Sequence, residues 1–257
     1  VAGEEAFGVP RVALLAHPDE PATDAEADAL AAMLARRLER EPLQYVVGHA
    51  DFFGLRLRVT PAVLIPRPET EELVEEALAR LAGHEAPWVL DVGTGSGAIA
   101  LAIKHRRPDA EVFACDVSED ALAVASDNAD RLGLDVTLIQ ADALAPAFAD
   151  GTPPCFDILV SNPPYVPDAE RETLEPEVRD HEPPEALFTG EDPLVFYRAL
   201  AGHADRLLKP GGLALFEAHA DYAAAVEALL TEAGLAEAGR RRDLSGRERI
   251  AWARRPA

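Results

Sequence analysis

The stretch "DILVSNPPYVPD" at residues 157–168 ends a buried-strand pattern, Ile158 to Val160, in a small polar residue and then in two prolines flanked by Asn162 and Tyr165. Proline fixes φ, donates no backbone hydrogen bond and pushes the residue before it into extended geometry. The chain after Val160 is therefore a stiff corner carrying one amide and one phenol. Such a corner suits chemistry in which a reacting group must be held still.

A second segment, "DVGTGSGAIA" at 91–100, sets Gly93, Gly95 and Gly97 between a strand pattern and a helix pattern. Glycines there let a ligand approach the backbone, and the helix N-terminus offers free N–H groups. The spacing is GxGxG rather than GxGxxG, and GxxxxGK[ST] is absent, so phosphate binding is not supported. Asp116 closes the next strand, "EVFACD", where a carboxylate can take both hydroxyls of a ribose. Asp142, in "QADAL" after the third strand, can accept from an adenine amino group. Thr94 and Ser96 inside the turn, with Val117 and Ala143 after the two carboxylates, complete the candidate cofactor-binding set. An adenosine without phosphates fits three such strand ends, and S-adenosyl-L-methionine, with S-adenosyl-L-homocysteine as its product, is a ligand of that kind.

No metal is expected. The seven histidines form no HxxxH or HExxH pair, and the two cysteines, Cys115 and Cys155, are far apart in the chain, so neither a zinc site nor a disulfide framework is indicated. Both cysteines border apolar runs and read as inert core thiols.

The elements that must position these residues are legible in the periodicity. From Trp88 onward, near-continuous apolar strands ("WVLDV", "EVFACD", "VTLIQ", "DILVS", "LALFE") alternate with helices starting near Gly97, Ser118 and Asp192. That alternation predicts a parallel sheet covered on both faces. "LKPGG" at 208–212 reads as a tight turn into the fifth strand, and residues 236–253 as an antiparallel hairpin around "DLSG" at the sheet edge. Upstream, Thr23 and Glu26 make a capping box for a helix whose face Leu30, Met33, Leu34 and Leu38 reads as core. Leu55, Leu57 and Val59 alternate with Arg56 and Arg58 as a half-buried strand, with bends at Gly48 and Gly54. "VLIPRPETEELVEEALARLAG" is a Pro-rich corner before a helix with the apolar face Leu73, Val74, Ala77, Leu78 and Leu81, closed by Gly83. The first twenty residues carry little periodic pattern, and the start at Val1 reads as trimmed.

At 257 residues and 48% hydrophobic composition the chain is long enough for one large unit, or one large and one small. No apolar run approaches a membrane span and no signal region opens it, so no membrane partner is expected and the cytoplasm is the default location. Forty-six acidic against twenty-four basic residues leave a formal charge of −22, which disfavours nucleic acid as a direct substrate. Some of the arginines of "GRRRDLSGRERIAWARR", on alternating strand residues, read as solvated-face charges.

"NPPY" after a strand, with "DVGTGSG" upstream, resembles the class I methyltransferases that modify planar amino groups. The finer match is to "PLQYVVGHADFFGLRLRVTPAVLIPRPETEELV", "EPEVRDHEPPEALFTGEDP" and "RRDLSGRERIAWA". Together these resemble the PrmC/HemK family, the release-factor glutamine methyltransferases, from about Arg11 to Trp252. The sequence departs from that pattern at Pro193, at "FEAH" 216–219, and in a helical N-terminal part shorter by a helix or two.

The resemblance implies a Rossmann-like, mostly parallel seven-stranded sheet with helices on both faces and a C-terminal antiparallel hairpin. It divides the chain into a small helical docking domain (1–45), a β-hairpin linker (46–66) and an S-adenosylmethionine-dependent methyltransferase domain (67–257). It implies transfer of a methyl group to the glutamine side-chain nitrogen of the Gly-Gly-Gln motif in peptide chain release factors, by a monomer. Catalysis then falls to Asn162, Pro163 and Tyr165, with Pro164 sharing in substrate binding. Asn162, Arg67 and Glu69 join the cofactor set, the last two near the cofactor's amino-acid end. The alternatives are a glutamine of a ribosomal protein, or adenine in nucleic acid. A non-catalytic binding module is disfavoured by the intact Asn162–Tyr165 corner.

Overall fold

In the computed structural model, which describes residues 1–17, 19–150 and 155–257, four helices open the chain: α1 (Ala2–Phe7), α2 (Arg11–Ala16), α3 (Asp24–Leu38) and α4 (Leu43–Val47). The expected capping box starts α3: Thr23 Oγ1 accepts from the Glu26 N–H at 3.3 Å, and the Glu26 carboxylate accepts from the Thr23 N–H at 2.7 Å. The expectation that its stripe is core fails. Leu34 is 50% and Leu38 83% exposed, and no residue of α3 is fully buried. The helix packs chiefly on the short α1 and α4, which are too small to cover its apolar face. The weakly patterned first twenty residues hold two helices of six residues each. At that length and depth, hydrophobic periodicity has almost nothing to register.

Next comes a hairpin of β1 (His49–Phe52) and β2 (Leu55–Arg58), paired antiparallel, with Leu55, Leu57 and Val59 buried as the alternation requires. A proline-rich corner leads into α5 (Pro68–Arg80), whose Leu73, Val74 and Ala77 are buried. The remaining elements are β3 (Trp88–Val92), α6 (Ala98–Arg106), β4 (Glu111–Asp116), α7 (Glu119–Leu132), β5 (Thr137–Gln140), β6 (Phe156–Ser161), α8 (Pro176–His181), α9 (Val195–Leu207), β7 (Leu208–Glu217), α10 (Ala223–Glu232), β8 (Ala236–Arg242) and β9 (Glu248–Arg254).

Seven strands form one sheet in the order β5-β4-β3-β6-β7-β9-β8, parallel from β5 to β7 and antiparallel at β9 and β8. Successive strand residues point to opposite faces. Val89, Ile158 and Val160 therefore pack with α5 and α6 on one side, while Leu90, Leu159 and Phe216 pack with α9 and α10 on the other. The expected tight turn at 208–212 is instead part of β7. Leu208 already pairs with Phe156, and the register shifts before Ile158 meets Leu213. Gly211 takes φ 79°, and a Cβ on Gly212 would sit 2.9 Å from the Lys209 carbonyl oxygen, so the two glycines make a bulge in the strand.

Chain order reverses direction across the sheet between β3 and β6. In open α/β sheets ligands bind outside the carboxyl ends of the strands at such a switch point.

Several of the C-terminal arginines are paired with carboxylates of the chain. Arg240 pairs with Glu227 and Glu248, Arg241 with Glu76 at 2.7 Å, and Arg255 with Asp205 at 2.8 Å. Cys115 is buried and Cys155 half-buried, both are free, and burial raises both thiol pKa values. Among the described residues no helix is long and apolar enough to cross a membrane, and no cluster of His, Cys, Asp and Glu could hold a metal ion.

Candidate active site

The carboxyl ends of β3, β4, β5 and β6 meet at one rim. At the end of β3 the Gly93 and Thr94 N–H groups donate to the Cys115 carbonyl at 2.9 and 3.0 Å, lashing the turn to β4. Gly93 and Gly95 have φ of 72° and 54°, and a Cβ added to either would meet nothing within 4 Å. The space over the turn is open, and side chains there would fill it. Gly97 serves the fold instead. Its φ is 82°, and an added Cβ would lie 2.9 Å from Leu101 Cδ1.

Asp116 accepts from the Gly95 N–H at 2.9 Å with one oxygen and from the Ser118 N–H at 3.0 Å with the other. The carboxylate is thereby fixed at the rim, with lone pairs left for a ligand. Asp142 accepts from the Leu144 N–H at 2.8 Å. Thr94 and Ser96 point inward. The Thr94 hydroxyl donates to buried Asp91 at 2.7 Å, and the Ser96 carbonyl accepts from Asn128 at 2.9 Å. One Asp91 oxygen has no hydrogen-bond partner among the described residues, and burial pushes the pKa of this carboxyl up to about 7.

One cavity gathers Gly93, Gly95, Asp116, Val117, Asp142, Ala143, Asn162, Pro163 and Pro164 with Val63, Leu64 and Phe196. Thr94, Ser96, Gly97, Arg67 and Glu69 are not among its walls. Among the described residues its ionisable lining is Asp116, Asp142 and Glu185, with no lysine, arginine or histidine. Such a wall repels a polyphosphate and favours a ligand that carries positive charge.

A second cavity lies on the other side of the corner. Arg67, Tyr165, Glu170, Val178 and His219 line it, and it shares Leu64, Asn162, Pro163, Pro164 and Ala186 with the first. The corner expected from sequence is thus a wall common to two cavities. It is held from several sides. Ser161 donates to the Val92 carbonyl at 2.6 Å, and the Val166 N–H donates to the Leu187 carbonyl at 3.0 Å. Asn162 Nδ2 donates to the Thr70 hydroxyl at 3.1 Å. Among the described residues, nothing donates to Asn162 Oδ1 or to the Pro163 carbonyl.

Arg67 is engaged elsewhere: it donates to Glu182 at 2.5 Å, and the same buried carboxylate accepts from the Ile65 N–H at 3.1 Å. Glu182 therefore ties the 65–67 corner to the segment carrying Glu185 and Ala186. Glu69 is exposed at the first turn of α5. Tyr165 stands with its ring 6.0 Å from that of His219, and burial, reinforced by Glu217, raises its pKa to about 12.

Thr70, Glu182, Glu217 and Arg249 belong to this neighbourhood and were not singled out from sequence. The signal available was a carboxylate, Glu217, closing the apolar run Leu213–Phe216 at the carboxyl end of β7.

A family model described as a methyltransferase domain matches residues 89–184, and one described as a PrmC N-terminal domain matches residues 3–48. A release factor glutamine methyltransferase of Chlorobaculum tepidum is 46% identical over 233 residues, covering 87% of this chain and 78% of that protein. The one of Deinococcus radiodurans is 45% identical over 253 residues, covering 98% and 88%. A crystal structure of a methyltransferase from Pyrococcus furiosus shares the fold, with a TM-score of 0.59 at 18% identity over 88% of this chain and all of that one. With relatives this similar along nearly its whole length, the chain belongs to the release factor glutamine methyltransferase family.

Proposed function

We propose that this protein transfers the methyl group of S-adenosyl-L-methionine to the side-chain amide nitrogen of the Gly-Gly-Gln glutamine in a peptide chain release factor. The observation that carries the reading is the shared wall: one cavity suited to a cationic adenosine derivative, a second open beside it, and the Asn162–Pro163–Pro164 corner between. The first cavity fits the cofactor. Gly93 and Gly95 leave room that any Cβ would fill, Asp116 is held at the rim with lone pairs that suit a ribose diol, and among the described residues of the lining no cation opposes a sulfonium. When bound, S-adenosyl-L-methionine supplies an electrophilic methyl group on that sulfonium.

The chain's own task is to prepare a poor nucleophile. An amide nitrogen is weakly nucleophilic because its lone pair is delocalised into the carbonyl. Asn162 Oδ1 and the Pro163 carbonyl, both without a donor among the described residues, are the two acceptors for its N–H groups, and the Tyr165 ring packs against the amide plane. Held so, the nitrogen presents its remaining direction to the first cavity. As positive charge develops on it, two preorganised dipoles already face it, and no reorganisation is needed. The alkylated amide nitrogen is acidic enough to lose its proton to water, so no general base is assigned.

One chain lines both cavities, so the reading asks for no second copy, and it makes the cytoplasm the place of work. Residues 1–45 are assigned to docking the protein substrate, 46–66 to a linker and 67–257 to catalysis. The test is mass spectrometry of a release factor after reaction with the labelled cofactor. Label on the Gly-Gly-Gln glutamine, lost when that glutamine is changed to alanine, is expected. A methyl group elsewhere in the protein, on a ribosomal protein alone, or on DNA adenine would overturn the reading.

A further inference from the structure

Behind Asn162 runs a chain of polar side chains that the reaction does not itself require. Asn162 Nδ2 is 3.1 Å from Thr70 Oγ1, and Thr70 Oγ1 is 2.7 Å from Glu217 Oε2. Glu217 is 1% exposed, at the carboxyl end of β7, and the Tyr197 hydroxyl donates to its backbone carbonyl at 2.9 Å. Thr70 is 4% exposed, in the first turn of α5.

The donors and acceptors of this chain have a forced direction. An ionised carboxylate only accepts, so the single hydroxyl proton of Thr70 goes to Glu217. What Thr70 then offers Asn162 is a lone pair, which only the NH₂ end of the amide can use. The Asn162 oxygen is left for the opposite side, where the substrate amide needs an acceptor. An asparagine amide is otherwise nearly symmetric in shape, and the wrong face would meet the substrate N–H with another N–H.

We propose that Thr70 and Glu217 are positioning residues that fix which end of the Asn162 amide faces the substrate. The proposal rests on the reaction proposed above and adds to it a source for the acceptor's orientation. When Glu217 is protonated the polarity is free to reverse: its own O–H can donate to Thr70, whose proton can then serve Asn162 Oδ1. The groups facing this carboxylate are Thr70 and Glu69 from α5, Tyr165 from the corner and Arg249 from β9. Burial is the strongest influence and opposes the ionised form, joined by Glu69, while Thr70, Arg249 and Tyr165 favour it, and the pKa is raised to about 7.

The experiment is a double-mutant cycle on the full chain, with release factor as substrate and both turnover and cofactor dissociation constant as readouts. Thr70→Val is expected to lower kcat about 10- to 100-fold, the scale of a misplaced reacting group. Cofactor affinity should stay within about twofold, because Thr70 lines neither cavity. Thr70→Ser should restore most of the rate. In an Asn162→Ala background, Thr70→Val should cost nothing further, since there is no amide left to orient. The parent's kcat should fall on the acid side of about pH 7, and Glu217→Gln should abolish that limb. An additive effect in the Asn162→Ala background would overturn the proposal, as would a Thr70→Val rate within twofold of the parent. Should Thr70→Val not fold, the pH limb and its loss in Glu217→Gln decide alone. Failure of these variants with the parent still methylating the Gly-Gly-Gln glutamine leaves the proposed function standing. A parent that modifies another amide or amino group sinks that function, and the cycle is then read on the group it does modify.

Discussion

Replacing Asp116 by alanine removes three things at once, and the structure separates them. Two are internal: the hydrogen bonds from the Gly95 and Ser118 N–H groups at 2.9 and 3.0 Å. Both donors lie at the rim of the cavity, where water can replace the carboxylate, so each costs about 1 kcal/mol of stability. The third is the contact to the ligand. A carboxylate receiving two ribose hydroxyls makes two charge-assisted bonds, each about 1.5–3 kcal/mol, and so a loss of about 3 kcal/mol is the low end of the expectation. At about 1.4 kcal/mol per decade this is a rise of roughly 100-fold in the dissociation constant. Titration calorimetry with S-adenosyl-L-homocysteine measures it, and a parallel thermal melt reports the internal loss. Asp116→Asn serves as the second variant. It keeps the shape and one acceptor, but its NH₂ must face the Gly95 or the Ser118 N–H. It should therefore weaken binding nearly as much as alanine does. A dissociation constant within threefold of the parent in both variants, with the fold intact, would remove Asp116 from the cofactor site.

Asn162→Ala deletes one of the two acceptors assigned to the substrate amide and should lower turnover on the order of 100-fold in single-turnover assays while changing cofactor affinity much less; near-normal transfer would refute the assignment. The glycine turn gives a paired test by calorimetry and melting: alanine at either position carries strain at a positive φ, but Gly95→Ala should in addition impair cofactor binding, because its Cβ enters the open space over the turn, whereas Gly97→Ala should lower Tm further, because its Cβ lies 2.9 Å from Leu101 Cδ1. Asp91, with a pKa raised to about 7 by burial, makes the fold relatively more stable below the carboxylate's unfolded value, and that contribution is lost as pH rises through about 7. Asp91→Asn should therefore raise Tm over the parent more at pH 8 than at pH 5, and the reverse order would refute the sign.

The strand ends were legible because each announces itself locally. A parallel strand buried on both faces is a solid apolar run, and the first polar or glycine residues beyond it must lie at the rim, so Gly93, Asp116, Asp142 and Asn162 could be placed on one edge from the sequence alone. The helix of residues 24–38 was legible as a helix, through Thr23 and Glu26, but its environment was not. The same leucine stripe describes a helix sunk in a core and one lying on two short neighbours, since periodicity encodes a face and says nothing of what covers it. Thr94 and Ser96 fell in the right turn and the wrong direction, because alternation within a tight turn of positive-φ glycines obeys no fixed period. Arg67 and Glu182 are 115 residues apart, and Thr70 and Glu217 are 147 apart; pairings across such separations depend on sheet order, which a single sequence does not print.

The placement of charge around the corner has a reason under the proposed reaction. The cofactor cavity holds three carboxylates, yet the residues between the two cavities, Asn162, Pro163 and Pro164, are all uncharged. A carboxylate in place of Asn162 would attract a sulfonium already in the ground state, and catalysis gains only from interactions that strengthen at the transition state. A neutral amide oxygen discriminates better, because its dipole gains most when positive charge reaches the substrate nitrogen beside it. Its weakness is that an amide can turn over, which a carboxylate cannot. Setting Glu217 one hydroxyl further back, behind Thr70, answers that weakness: the ionised group dictates the direction of the hydrogen bonds while remaining at second hand from the transferred methyl group.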